Sequence, residues 1–230
     1  IHEQNAVAGT TNRLLAPLAR RGLCGLSGRF AAAHDAEVVG NPVRDELQPV
    51  DRRELNGLDR FSAERPMRLL VLGGSLGAAP LNALLPQAVD ALRERGVDKS
   101  LTVWQQCGQR NRLQADEAWT FSPFQHLRCD DYIDDMASAY GWADVVIARA
   151  GALTVSELAQ TGTASILIPL PHAIDDHQTV NARVLQARGA AVLMPQRSIT
   201  PDTLADVLEQ WIMSPRTLAI MSVAASAAAR

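Results

Sequence analysis

The stretch Met67-Arg68-Leu69-Leu70-Val71-Leu72-Gly73-Gly74-Ser75-Leu76-Gly77-Ala78 decides the fold class. Its first six residues are apolar apart from Arg68, without the polar alternation of a half-exposed strand, so they read as a strand buried on both faces. The run stops at Gly73-Gly74, and a helix-spaced segment from Leu81 to Arg95 follows. The same unit recurs downstream. Strands are expected at Leu101 to Gln105, Leu127 to Ile133, Asp144 to Ala148, Ser165 to Leu170 and Ala191 to Met194, alternating with helices at Gln109 to Trp119, after Met136, at Thr154 to Gln160, Asp175 to Arg188 and Thr200 to Met213. Apolar strands alternating with helices imply an α/β class, a doubly wound parallel sheet over residues 66–213. Ligands of such sheets bind beyond the carboxyl ends of the strands, so the informative residues belong in those loops.

Upstream of the sheet, Leu14, Leu15, Leu18 and Ala19 recur at helical spacing between Gly9 and Arg21, with Thr10 or Thr11 as the expected cap. A short strand is expected to enter the Pro42 turn through Glu37-Val38-Val39. Residues 46–65 are charged, carry Pro49 and Gly57, and read as a linker region. The tail, 214–230, places Leu218, Met221 and Val223 on one helix face.

Bulk properties narrow the function classes. The 230 residues are 47% hydrophobic and 20% charged, with a formal net charge of −3, which gives no general attraction to polyanions; nucleic acid is not an expected partner. Cys24, Cys107 and Cys129 are widely spaced and lack the close pairs of zinc or redox motifs, so they read as buried thiols in a reducing compartment. Ala164 to Leu170 is too short to span a bilayer, and membrane contact is expected to be peripheral. The opening Ile1-His2-Glu3-Gln4-Asn5 is motif-like and lacks an initiating Met, so further residues are expected upstream.

Three loops carry candidate chemistry. Gly73 to Ala78, between strand and helix, allows close approach of backbone N–H groups to a phosphate, with Ser75 adding a hydroxyl. The same residues spell G-x-S-x-G, so an esterase with Ser75 as nucleophile and His172 or His177 as base is the rival enzyme. Arg149-Ala150-Gly151-Ala152-Leu153-Thr154 is a second such turn; two helix termini aimed at one anion would suit a diphosphate. Glu157 is a candidate for gripping a ribose diol, or else compensates the helix dipole from the first turn. In the third loop, Pro169 to Gln178, His172, Asp175, Asp176 and His177 admit a metal reading, but Asp175 or Asp176 also serves as a natural helix N-cap. Gln178 and Asn181 share a helix face from which amides can read sugar hydroxyls. Asp130, Asp131, Asp134 and Asp135 flank Ile133 as a cation site or, more simply, as helix caps; Arg44 can meet a phosphate or a base, or lie idle on the surface.

Six blocks occur in one order: His2-Glu3-Gln4-Asn5-Ala6-Val7-Ala8-Gly9-Thr10-Thr11-Asn12, Gly40-Asn41-Pro42-Val43-Arg44, Gly73-Gly74-Ser75, Tyr132-Ile133-Asp134-Asp135-Met136, Arg149-Ala150-Gly151-Ala152-Leu153-Thr154, and Asp176-His177-Gln178 with Asn181-Ala182. Together they resemble the MurG family of glycosyltransferases, from Ile1 to about Met213. The resemblance implies a GT-B fold of two Rossmann-like domains. Residues 1–45 would be the remnant of an acceptor-side and membrane-side domain, 66–213 the UDP-sugar domain, and 214–230 a helix returning to the first domain.

What the resemblance implies for chemistry is an inverting transfer of N-acetylglucosamine from its UDP derivative to the muramyl C4 hydroxyl of lipid I, giving lipid II for peptidoglycan at the cytoplasmic face of the cell membrane. Neither metal nor cofactor is implied, and the helix termini would stabilise the leaving diphosphate. By resemblance, the donor contacts are Arg44, Ser75, Ile133 through its backbone at the uracil, Ala152, Leu153 and Thr154 at the diphosphate, Glu157 at the ribose, and His177, Gln178 and Asn181 at the sugar. His2, Glu3 and Asn5 fall on the acceptor side. Leu76 stands where the family usually has Gln, which weakens the case for a side-chain contact there. The family's amino-terminal glycine-rich loops and the His proposed as general base are not in this sequence, so binding of UDP without transfer is the expectation for these residues alone. A non-catalytic nucleotide-binding module is the third function class.

Overall fold

The computed structural model describes residues 1–28, 30, 34–74, 77–171 and 176–229. In chain order its elements are β1 (His2–Glu3), α1 (Thr10–Leu15), β2 (Leu23–Cys24), β3 (Glu37–Val38), β4 (Met67–Leu72), α2 (Ala79–Glu94), β5 (Leu101–Gln106), α3 (Arg112–Thr120), β6 (Leu127–Asp130), α4 (Met136–Trp142), β7 (Val145–Ala148), α5 (Ala152–Gln160), β8 (Ala164–Leu167), α6 (His177–Gln186), β9 (Ala191–Leu193), α7 (Pro201–Met213) and α8 (Pro215–Ser226). Backbone contacts divide the chain into two compact units, one of residues 1–50, 149–197 and 221–230, the other of 51–148 and 198–220.

In the second unit β4 is central. It pairs in parallel with β5, which pairs with β6, and on its other edge with β7. The order follows from burial, because Leu69, Leu70 and Val71 are each at most 1% exposed and therefore need cover on both faces. The chain runs outward from β4 to β5 and β6, then returns to lay β7 against β4. That reversal is the switch point of a doubly wound sheet, and it brings Leu72 and Ala148, the last residues of two strands, into register. Helix α2 buries Leu81, Leu85, Val89 and Leu92, and meets α3 and α7. Thr200 caps α7 with a reciprocal Thr200–Thr203 capping box.

Residues 51–65 are packed in this unit. Leu55 and Phe61 are buried, the Phe61 N–H donates to the Ile212 carbonyl at 2.9 Å, and the buried Arg52 donates to the carbonyls of Tyr140 and Ala143 at the end of α4. Asp144, its side chain 1% exposed, takes Arg65 at 2.8 Å and Arg68 at 3.0 Å.

The first unit holds a three-stranded parallel sheet, β1-β2-β3, and the parallel pair β8-β9. Its helices α5 and α6 pack on each other. The tail residue Ser222 donates its hydroxyl to the Gly162 carbonyl at 2.6 Å.

The α/β parallel class read from the sequence is the observed class, and most elements fall within a few residues of their expected ends. Three expectations fail. The helix expected from Gly9 to Arg21 is α for six residues only, then a 3₁₀ turn, and it buries none of the residues read as its apolar face: Leu14 and Leu18 are 72% and 82% exposed. Its N-cap is Gly9, without a side-chain cap, in place of Thr10 or Thr11. Cys129 is half-buried, unlike Cys24 and Cys107. β1 and β2, two residues each, are too short to leave a periodic trace.

Candidate functional site

Within the first unit, the segment His2 to Asn12 is folded around a buried carboxylate. Glu3, 3% exposed, accepts from the backbone N–H of Asn5 at 2.9 Å and of Gly9 at 3.1 Å, from the Asn12 amide at 2.8 Å and from the Asn5 amide at 3.3 Å. Burial pushes this carboxyl up, but the donors outweigh it, and the group sits below its ordinary value. His2 Nε2 donates to the Gly40 carbonyl at 3.2 Å, which joins the first motif block to the second. Asn41 makes a second join, giving one N–H to the Gln4 carbonyl and the other to Ser156 Oγ on α5, both at 3.0 Å.

Asn181 on α6 is wholly buried. Its Oδ1 accepts from the Ala6 N–H at 2.9 Å, and its Nδ2 donates to Asn5 Oδ1 at 3.0 Å and to the Ala150 carbonyl at 3.2 Å. Thus two residues assigned from sequence to opposite sides of the site, Asn5 and Asn181, touch.

Ala150 leads into the N-terminus of α5. Gly151 is the N-cap, with no side-chain cap hydrogen bond, so the first-turn N–H groups of Ala152, Leu153 and Thr154 are not met by a cap. Glu157, half-buried, is the sixth residue of α5, and the first turn has no acidic residue. The reading of Glu157 as a first-turn dipole partner therefore fails. Arg149, next to Ala150, donates to the carbonyls of Ile168 and Pro169 and to Gln196 Oε1, tying the exits of β8 and β9 together. Gln178 Oε1 accepts from the Leu170 N–H at 2.9 Å, which leaves its NH₂ as the group available to a ligand. Asp176 occupies the N-cap of α6 at φ 51°, but its carboxylate takes the Thr179 hydroxyl at 2.6 Å and caps no backbone N–H. Arg44 is exposed.

Within the second unit, the turn after β4 is shaped by glycine. Gly77 has φ 71°, and a Cβ there would strike the Cys107 carbonyl at the end of β5. The carbonyl of Gly74 accepts from the Gly77 N–H at 2.9 Å and from Gln106 Nε2 at 3.3 Å. Helix α2 follows, also without a side-chain N-cap. Ile133 is 4% exposed, so its side chain is an anchor and its backbone is what the loop can present. Of the four aspartates around it, Asp135 caps α4 by accepting the Ser138 N–H at 2.9 Å, Asp130 takes Trp104 Nε1 and Arg128, and Asp131 takes Arg112. These are the cap and ion-pair roles of a folded turn; no group of three potential metal ligands occurs among the described residues. Ser75, Leu76, His172 and Asp175 lie outside the described residues, and with them the nucleophile of the esterase reading and half of the metal reading.

Residues 68–230 match the model of the glycosyltransferase family 28 C-terminal domain. The chain belongs to that family. This glycosyltransferase family 28 chain is 44% identical over 229 residues to a Tolumonas auensis protein, and 48% identical over 225 residues to one from Pseudomonas fluorescens. Both carry the name UDP-N-acetylglucosamine--N-acetylmuramyl-(pentapeptide) pyrophosphoryl-undecaprenol N-acetylglucosamine transferase. The matches cover 100% and 98% of this chain but 62% and 60% of those relatives. Among solved structures, the crystal structure of Acinetobacter baumannii MurG superposes with a TM-score of 0.81 at 36% identity, over 100% of this chain and 62% of that one. A putative UDP-N-acetylglucosamine 2-epimerase from Listeria monocytogenes shares the fold at 11% identity, with a TM-score of 0.61 over 94% of this chain and 57% of its own. A glycosyltransferase family is the one the sequence resemblance named, and it disfavours the esterase.

Asn12, Asn41 and Arg149 were missed as site-building residues. Each stands inside a motif block, but a hydrogen-bonding duty towards distant backbone leaves no local pattern to read.

Proposed function

We propose that this chain is the donor-binding part of an inverting glycosyltransferase. It would transfer N-acetylglucosamine from UDP-N-acetylglucosamine to the muramyl C4 hydroxyl of lipid I and so form lipid II for peptidoglycan. The observation that carries the reading is the uncapped N-terminus of α5, whose backbone donors follow directly on the Asn5–Asn181–Ala150 network, in a chain of family 28. Free N–H groups at a helix start favour a diphosphate and stabilise it further as negative charge develops on the leaving group. The donor contacts are Arg44, Ser75, the Ile133 backbone, Ala152 to Thr154, Glu157, His177 and Gln178, with residues 66–213 as the sugar-nucleotide domain and 1–45 on the acceptor side. The lipid-linked acceptor places the reaction at the cytoplasmic surface of the membrane, and by supplying peptidoglycan precursor the enzyme would serve cell shape and division. Among the described residues no helix is long and apolar enough to cross a membrane.

Calorimetry with UDP and UDP-N-acetylglucosamine tests the reading, with circular dichroism to show that the protein is folded. Saturable binding of both is expected; a folded protein that binds neither overturns it. Glu157→Ala and Gln178→Ala are each expected to cost roughly 1 to 3 kcal/mol of donor affinity, the range for a lost hydrogen bond in a desolvated pocket. Unchanged affinity in both variants removes them from the site.

A further inference from the structure

We infer that Asn181 is a positioning residue that holds the Asn5 amide in one orientation, and that it is not itself a reader of sugar hydroxyls. This rests on the donor-site reading above and reassigns Asn181, which the family resemblance put at the sugar. Asn181 has no exposed surface, and both of its N–H groups and its carbonyl oxygen are engaged: with Asn5, with the Ala150 carbonyl before α5, and with the Ala6 N–H. An asparagine offers two donors and one acceptor oxygen, so nothing of it but a buried lone pair is left for a ligand.

The consequence falls on Asn5. Its Oδ1 faces Asn181 Nδ2 and its Nδ2 faces Glu3 Oε1, so the amide is held from both ends and cannot flip without setting like against like. One N–H and one lone pair of Asn5 stay unassigned, on a residue that is half-buried and so open to solvent. A sugar hydroxyl, donor and acceptor at once, matches that pair. Because the same Asn181 amide also holds Ala150, the orientation of Asn5 is fixed relative to the chain entering the α5 N-terminus.

The test uses the intact protein. Asn5→Ala and Asn181→Ala are made singly and together, and the Kd for UDP, the Kd for UDP-N-acetylglucosamine and the Kd for a lipid I analogue are measured. Whichever sugar-dependent constant Asn5→Ala weakens, Asn181→Ala should weaken by about fivefold or more, with the double variant no worse than the poorer single one. Additive losses, a loss in a sugar-dependent constant that Asn5→Ala leaves alone, or no effect of Asn5→Ala on any sugar-dependent constant overturns the proposal. Asn181→Asp keeps the volume and the acceptor for Ala6 while removing both donors; it should reproduce the loss if the alanine variant does not fold. Hydrogen exchange of the Asn181 side-chain amide in the unmutated protein needs no variant. Slow exchange with and without sugar nucleotide is expected, and protection that arises only on adding UDP-N-acetylglucosamine marks a ligand contact and overturns the clamp. Slow exchange in a protein that binds no UDP-sugar would leave the clamp standing and sink the donor-site reading instead.

Discussion

Glu3 shows how one side chain can organise a loop. Four donors converge on its carboxylate, so the segment from Asn5 to Gly9 is held by charge-assisted hydrogen bonds where regular structure is nearly absent. Replacing it with Gln removes the charge and turns an NH₂ towards donors, at an expected cost of about 1.5 to 3 kcal/mol in urea unfolding at neutral pH. The pH dependence has a definite sign. A carboxyl held below its ordinary value contributes stability that is present above its unfolded pKa and is lost as pH falls through the folded one. Glu3→Gln should therefore lose less stability than the unmutated protein on acidification, and parallel acid profiles would refute the role. By resemblance, Glu3 falls among the cleft residues on the acceptor side. Its burial and four protein donors argue for a scaffold, which depends on where Asn12 and Gly9 fold back to and cannot be read from neighbouring letters.

At the scale of elements, the Gly73 to Ala78 turn separates two uses of glycine. Gly74 and Gly77 both have positive φ, but a Cβ on Gly74 meets open space while one on Gly77 meets the Cys107 carbonyl. Gly74→Ala should cost about 1 kcal/mol, for the backbone conformation alone. Gly77→Ala should cost more, about 2 to 3 kcal/mol, because the Cys107 carbonyl and the Asn111 amide must also give way. Equal urea midpoints for the two variants would contradict this. The glycine pattern was legible as a tight strand-to-helix turn, since a buried apolar run cut by Gly-Gly has few other readings. The short helix α1 was misread for the opposite reason: its leucines sit at helical spacing, yet no element among the described residues covers them, and spacing alone says nothing about a partner.

For the molecule as a whole, the family 28 chain keeps its second unit together through charge as well as apolar burial. Asp144 gathers Arg65 and Arg68 and receives the Arg68 backbone N–H, while the neighbouring Arg52, its pKa pushed down by burial to about 10, caps the end of α4. Burial raises the Asp144 carboxyl, but the two arginines outweigh it and the net shift is downward. Asp144→Asn leaves Arg65 and Arg68 with only the exposed Glu54 as counter-charge, and a loss of about 3 kcal/mol is expected at neutral pH. The unmutated protein should lose this contribution as pH falls through the Asp144 pKa, whereas the Asn variant has none to lose. A variant with the same denaturation midpoint and the same acid slope would show the cluster to be ornamental.

Strand burial and period are local properties, so the sequence by itself determined the α/β parallel class, the strand-helix alternation and the loops in which ligands are sought. Six motif blocks in order were enough to point to the family. Which residues face a ligand and which spend themselves on the protein was decided only by tertiary structure. Asn181 and Asn5 lie 176 positions apart and meet at 3.0 Å, and an amide has a fixed number of hydrogen bonds, so a partner brought in by folding removes it from the surface chemistry that its letter alone allows.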